Sequence, residues 1–509
     1  MKNYAKLLYR RGVVVGICIL LQLIFFMVMV KYLTEYHQYF GPFMTVLAVI
    51  TLPFILSGQT DPSYKIAWII PICIAPIFGI AFYLLFGGNR LSKRLRRKMQ
   101  TVEQVQRDNL KQNPQVLQAQ KLADGDGATQ SRYMLDWALC PIYNNTATAY
   151  YPSGEAAMED MLSAIDKAEK YVFLEYFIVE DGKFWGEILK RLKKKAAAGL
   201  DVRVLYDDLG CVFTLPAGYY KRLEAVGIKA APFNPFVPIL SARLNNRDHR
   251  KFLIVDGLVG FTGGINLADE YINQASRFGY WKDCVIRLDG EAAWSMTVMF
   301  LSMWDYVRQQ RETLSKFRPH YDIPTGHLGY VQPFCDTPLD NEPVGETVYF
   351  NMITKAKKSV YIMTPYLIIS DKMISALSIA AKNGVDVRII APGVPDKKIV
   401  YAATRGHYHP LLQSGVKIYE FTPGFLHGKV VAVDGKWAVV GTINFDFRSL
   451  YLHFENGIWL QNAGCMADIL EDFKKTFPQC RRITPQDERA TTIFTRVYRM
   501  FLRIFAPLM

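Results

Sequence analysis

Uncharged apolar runs open the chain and then cease. "VVVGICILLQLIFFMVMV", Val13 to Val30, and "AWIIPICIAPIFGIAFYLLFG", Ala67 to Gly87, are each about long enough to cross a bilayer as a helix. Between them "FMTVLAVITLPFIL", Phe43 to Leu56, is shorter and carries Pro53, so two or three crossings both fit. The first run is long for a signal peptide and lacks a small-residue cleavage site. After these runs the periodicity becomes that of a soluble α/β protein. "EAAMEDMLSAIDKAEK" puts Ala157, Met161, Ala164, Ile165 and Ala168 on one helical stripe. "YVFLEYFIV" then reads as a buried strand, "GEILKRLKKKAAAG" as a helix stopped by glycine, and "LDVRVLYDD" as a second strand. The same order returns as "KKSVYIMTPYLII", "KMISALSIAAKNG" and "VDVRIIAPG", with "AGLDVRVL" from Ala198 answered by "NGVDVRII" from Asn383. A long-period repeat of βαβ elements predicts two similar α/β domains with largely buried sheets.

The expected organisation is a membrane anchor over 1–98, a polar, Gln-rich linker over 99–145, a first domain over 146–330 and a second over 331–490. The tail, 491–509, is amphipathic: Ile493, Val497, Phe501 and Phe505 recur at helical spacing among Arg496, Arg499 and Arg503. That pattern suits an interfacial helix and a docked core helix equally. The formal charge of +14 fits nucleic acid, anionic lipid or phosphorylated substrates alike. Its placement says more. Lys2, Lys6, Arg10 and Arg11 precede the apolar runs, and Arg90, Lys93, Arg94, Arg96, Arg97 and Lys98 follow them. Positive-inside logic puts both clusters, and the domains that follow, in the cytoplasm of a multi-pass cell-membrane protein, which needs an even number of crossings. The eight cysteines are scattered, with no Cys-x-x-Cys, which argues against a zinc ribbon or disulfide framework.

Each repeat closes on one motif, "HRKFLIVDGLVGFTGGIN" from His249 and "HGKVVAVDGKWAVVGTIN" from His427. Both read His-x-Lys, four residues, Asp, six residues, Gly, with Asn three positions later. His and Lys at i and i+2 on a strand share a face and reach one spot together. One copy would be a weak motif; two in register, each ending a repeated unit, are not chance.

The doubled motif resembles that of the phospholipase D superfamily, in which two copies face each other across one active site. The resemblance implies an α/β fold of two tandem phospholipase D-like α/β/α sandwich domains facing each other, behind an N-terminal transmembrane helical segment. It implies His249 as nucleophile, forming a phosphohistidine, and His427 as acid and base for the two alcohols. Lys251 and Lys429 would hold the phosphoryl oxygens, with Asn266 and Asn444 donating to the phosphate. Asp256 and Asp434 complete the catalytic motif. They also precede turn glycines, so a structural role stays open. Asp283 in "YWKDCVIRLDG" and Glu455 in "LYLHFENGIWL" stand where superfamily acids orient the histidine of the opposite copy, implying Asp283 for His427 and Glu455 for His249. A solvated strand-edge acid is the alternative. No metal or other cofactor is implied, since the lysines supply the positive charge. The other histidines lack ligand spacing apart from His407-x-His409 in "RGHYHPLL", which reads as a loop near the substrate path.

Three stretches narrow the resemblance to bacterial cardiolipin synthases. "DPSYKIAWIIPICIAPIFGIAFYLLFGGNRLSKRLRRK" resembles their membrane module, "GTINFDFRSLYLHFE" their second motif and "RMFLRIFAPLM" their ending. An additional hydrophobic run departs from the pattern. The implied protein is a membrane-bound phosphatidyltransferase whose partners are phosphatidylglycerol and other anionic phospholipids, with no nucleic acid. A hydrolase of the same chemistry, a synthase using another headgroup donor and a silent lipid-binding scaffold are the alternatives. The oligomeric state is left open.

Overall fold

A computed structural model of the chain describes residues 11–35, 37–58, 61–87, 102, 104–235, 245–321, 329–340 and 342–508. The basic clusters Lys2, Lys6 and Arg10, and Arg90 to Lys98, lie outside them. The strands are β1 (Thr146–Tyr151), β2 (Tyr171–Tyr176), β3 (Asp201–Asp207), β4 (Lys229–Phe233), β5 (Phe252–Val255), β6 (Val259–Gly263), β7 (Tyr280–Lys282) and β8 (Val285–Gly290). In the second half they are β9 (Tyr330–Asp336), β10 (Ser359–Met363), β11 (Asp386–Pro392), β12 (Lys417–Phe421), β13 (Gly424–Leu426), β14 (Val430–Val433), β15 (Trp437–Gly441), β16 (Glu455–Gln461) and β17 (Cys480–Ile483).

The duplication is visible in the sheets. The first has the order β1-β8-β6-β5-β2-β3-β4, and the second β17-β12-β11-β10-β14-β15-β16-β9. Read from the other edge, the second repeats the first strand for strand and adds β17. In both, a parallel βαβ core joins an antiparallel hairpin, β5–β6 or β14–β15, that carries the motif. The parallel strands are largely buried on both faces: β2 is buried throughout, Glu175 included, as a strand covered by helices must be. Helix Gly154–Lys167, N-capped by Ser153, buries Ala157, Met161, Ala164 and Ile165, the stripe the periodicity predicts.

The stretch 99–145 departs from the expected linker. It forms helices Pro114–Ala123 and Gly125–Ala138, joined at Asp124, whose carboxylate accepts from the backbone of Asp126 and Gly127 and from Trp437 Nε1. Gln120 donates to Ser131 and to Gln461 of β16, and Met134 and Cys140 are buried in the core shared with the second half. Its glutamines look like linker composition, yet Gln120 is fully buried and hydrogen-bonded. "RGHYHPLL" is likewise no loop: it spans the end of helix Lys398–Gly406 and the start of helix Tyr408–Gln413, with His407 Nδ1 2.9 Å from the Ala403 carbonyl.

The N-terminal segment comprises helices Arg11–Glu35, His37–Ser57, Pro62–Ile74 and Pro76–Phe82, ending in a π turn at Tyr83–Gly87. The run Ala67–Gly87 is therefore broken, because Pro76 bars the helical conformation at Ala75, whose ψ is 80°. Among the described residues, no helix is long and apolar enough to cross a membrane. Helix Pro62–Ile74 instead meets the catalytic half: Tyr64 stacks on Phe447 with ring centroids 5.5 Å apart. Helix Ile493–Phe505 turns Leu502 inward and leaves Phe494, Val497 and Phe501 exposed, so the tail is docked and amphipathic at once.

Candidate active site

The motif aspartates build the hairpins. Asp256 and Gly257 have φ of +54° and +68°, and Asp434 and Gly435 +56° and +70°, with Leu258 N–H bonded to Val255 O and Lys436 N–H to Val433 O. Two consecutive positive φ angles make the tight turn whose twist suits a hairpin, and Asp-Gly is the pair that tolerates it. Each carboxylate also ties the turn to a neighbouring strand. Asp256 accepts the amides of Glu169, Lys170 and Tyr171 at 2.7–2.8 Å, and Asp434 those of Lys357, Lys358 and Ser359 at 2.7–2.9 Å. Each lies one strand away from its own histidine, about 20 Å at a strand's rise per residue. The fold thus brings the two aspartates to the turn and not to the histidines. Replacing either by alanine leaves three amides without their acceptor, and we expect a loss of about 1–3 kcal/mol in stability. A thermal melt in detergent checks this; an unchanged melting temperature would contradict the assignment.

At the other end of each hairpin the halves exchange backbone. β13 pairs in parallel with β7, with Leu426 opposite Lys282, and His427 N–H reaches Lys282 O. Asp248 forms the equivalent parallel bridge to Phe454, and His249 N–H bonds Phe454 O at 2.9 Å. One residue further along each pairing, a histidine of one half meets an acid of the other. His427 Nδ1 lies 2.7 Å from Asp283 Oδ2, and His249 Nδ1 lies 2.8 and 3.0 Å from the two Glu455 oxygens. The motif glycines make the approach possible. A Cβ on Gly263 would fall 2.2 Å from Cys284 O, one on Gly264 1.8 Å from Asp283 Oδ1, and one on Gly441 2.4 Å from Asn456 O. Where the first copy has Gly264, the second has Thr442, whose hydroxyl donates to Glu455.

Lys251 and Lys429 point back into the same place. Lys251 Nζ donates to His249 O at 2.7 Å, and Lys429 Nζ donates to His427 O and lies 2.9 Å from His427 Nδ1. Both lysines are buried and both histidines only 8% exposed. Burial, then the charges of Lys251 and Lys429, hold His249 well below the usual imidazole range. Burial and Lys429 bring His427 down to about 4, against the pull of Asp283. Burial and the other lysine's charge lower Lys251 to about 7, and burial lowers Lys429 to about 8. Burial alone would raise Asp283, but His427 and Lys429 outweigh it and hold its carboxyl low. These effects cross from one half to the other, so the two motifs form a single electrostatic site.

The asparagines differ. Asn266 takes the Ile178 amide on Oδ1 and donates to Tyr271, whereas Asn444 Oδ1 is buried with no partner among the described residues. Sequence reasoning missed His453. Its ring centroid is 5.6 Å from that of His249, its Nδ1 is 3.7 Å from Glu455 Oε1, and Arg448 Nε is 3.4 Å from its Nε2. Two positions before Glu455 on an extended chain would have been the only signal. Among the described residues, His249, His453 and Glu455 are the one group close enough to share a metal ion. The neighbouring Lys251 and Arg448 compete with a cation there.

Around the histidines stand Phe177, Tyr271, Trp281 and Phe425, with ring centroids 5.1–5.8 Å from the imidazoles. Two imidazoles held by carboxylates, two ammonium groups and an aromatic wall constitute a site for an anionic ester.

Comparisons with known proteins agree. The family described as "Cardiolipin synthase, PLD-like domain" matches residues 161–303 and 349–477, and "Phospholipase_D-nuclease N-terminal" matches 44–88. An uncharacterized protein of Streptococcus mutans is 42% identical over 460 residues, 90% of this chain and 99% of its own. A cardiolipin synthase of Geobacillus kaustophilus is 34% identical over 91% of this chain and 92% of its own, and cardiolipin synthase 2 of Bacillus anthracis 34% over 91% and 90%. The crystal structure of a phosphatidylserine synthase from Haemophilus influenzae shares the fold over 75% of this chain and 98% of its own, with a TM-score of 0.56 at 16% identity. The chain belongs to the cardiolipin synthase family of phospholipase D-like phosphatidyltransferases.

Proposed function

We propose that the protein joins two phosphatidylglycerol molecules into cardiolipin and glycerol, and the observation that carries this reading is the crossed pair of histidine–carboxylate contacts. With its Nδ1 hydrogen given to Glu455, His249 presents the lone pair of Nε2 to phosphorus. Attack forms the N–P bond and breaks the P–O bond to glycerol, whose oxygen takes a proton from His427. The headgroup hydroxyl of a second phosphatidylglycerol then returns a proton to His427 and displaces His249, completing a second phosphodiester. One such bond replaces another, so no nucleotide is consumed. Burial, then the charge of Lys429, holds His427 low. An arriving phosphodiester anion offsets that charge and lets His427 take up the proton it must donate. Lys251 and Lys429 stabilise the phosphoryl oxygens, and Asn266 and the Asn444 amide donate to them.

The same reading seats the N-terminal apolar helices in the cell membrane and the catalytic halves on its cytoplasmic face, where anionic lipid is concentrated. Exposed Leu20, Leu21, Phe25, Val49 and Ile50 support this. The aromatic wall favours an alcohol over water as the second nucleophile. Purified protein given labelled phosphatidylglycerol is expected to release glycerol and form cardiolipin; phosphatidic acid as the main product would make it a hydrolase instead.

A further inference from the structure

The N-terminal helices, the C-terminal helix and the second motif meet at one apolar groove away from the histidines. Ile66, from helix Pro62–Ile74, lines one side, and Met500 and Ile504, from helix Ile493–Phe505, line another. Ile368, Ile369 and Phe447 form the floor. The floor is buried at 6% exposure for each of these three, while Ile66, Met500 and Ile504 keep 51%, 61% and 36%. The groove holds about 270 Å³, just under the roughly 300–1,000 Å³ of pockets that bury whole small molecules, which suits part of one chain. Arg503 pairs at 3.0 Å with the exposed Asp371 on its rim, with Asp61 nearby.

We propose that this groove holds an acyl chain of a phospholipid. Three observations point to a lipid tail. The groove opens onto the exposed apolar side of helix Ile493–Phe505, which displays Phe494, Val497 and Phe501 at 85%, 52% and 57% exposure, so it is continuous with a surface that water disfavours. Its only cation, among the described lining residues, is Arg503 at the rim, where a phosphate could replace Asp371 as its partner. Its floor adjoins the second motif, with Ile368 N–H bonded to Phe445 O at 2.8 Å, one residue after Asn444. Phe447 begins the short helix Phe447–Tyr451, capped by Asp446, two residues after Asn444 Oδ1 is left unpaired. A chain lying on Ile368 and Phe447 would therefore anchor a lipid whose headgroup extends toward the second motif.

The inference rests on the proposed lipid substrate and membrane seating, yet the labelling that tests it does not need turnover. The full-length protein in detergent micelles is irradiated with phosphatidylglycerol carrying a diazirine at the end of an acyl chain, and the labelled residues are mapped by mass spectrometry. Label is expected on Ile66, Met500, Ile504 or the segment Ile368–Ser370. Ile504→Trp, which fills the groove, is expected to cut that label and to raise KM for long-chain phosphatidylglycerol about tenfold while leaving turnover of its dihexanoyl analogue unchanged. Should Ile504→Trp fail to fold, Met500→Trp tests the same point from a more exposed position. Label confined to Phe494, Val497 and Phe501, or groove label that neither variant reduces, overturns the proposal. Groove label without cardiolipin formation supports the groove and overturns the proposed reaction alone.

Discussion

His249→Ala should leave cardiolipin synthesis lower by about 10⁴-fold or more, the scale on which covalent catalysts fail when the nucleophile or its base is removed. Nothing beside it can take over. His453 is the imidazole packed against it, but Arg448 Nε donates to its Nε2 at 3.4 Å and occupies that lone pair. His427→Ala should fall as far with phosphatidylglycerol, because glycerol is a poor leaving group without a proton. The two variants part on a phosphatidyl ester of p-nitrophenol, which leaves unaided. His427→Ala should then release about one equivalent of nitrophenolate in a burst and stall, whereas His249→Ala should release none. A burst from both, or from neither, would contradict separate roles for the two histidines.

The lysines come next in size. Lys251→Ala and Lys429→Ala should each lower kcat/KM by about 10²–10³-fold, as removal of a preorganised charge from a developing oxyanion does. Their depressed pKa values add a pH signature. A lysine near 7 and another near 8 lose their charge as pH rises through that window. The proton His427 must acquire grows scarcer in the same direction. His249, held well below its ordinary range, stays neutral and nucleophilic down into mild acid. Wild-type kcat/KM should therefore be high on the acid side of neutrality and fall between about pH 7 and 8. A profile that stays level to pH 9 would show that the lysines keep their charge and that their burial has been misread.

Much of this site was legible from residue spacing, because covalent periodicity does the placing. A two-residue repeat fixes His and Lys on one face, and the order of βαβ elements fixes which strand ends come together. The acids were harder. Asp283 and Glu455 could be named only through resemblance, since the parallel pairings that bring them to the opposite histidines involve a three-residue strand, β7 with β13, and a single bridge, Asp248 with Phe454. Pairings that short leave no periodicity. Helices Pro114–Ala123 and Gly125–Ala138 have the hydropathy of a linker because their inward side chains include Gln120, Gln130 and Ser131, which hydropathy counts as outward. His453 was invisible for a different reason: its proximity to His249 arises from the crossing of the halves, and no spacing within one half encodes it.

The decisive measurement is a turnover with radiolabelled phosphatidylglycerol quenched in alkaline denaturant, where a phosphohistidine survives, followed by digestion and mass spectrometry. A phosphatidyl group on the peptide carrying His249, lost on mild acid treatment, is the predicted result. The same group on His427, or active enzyme with no covalent adduct at all, would contradict it.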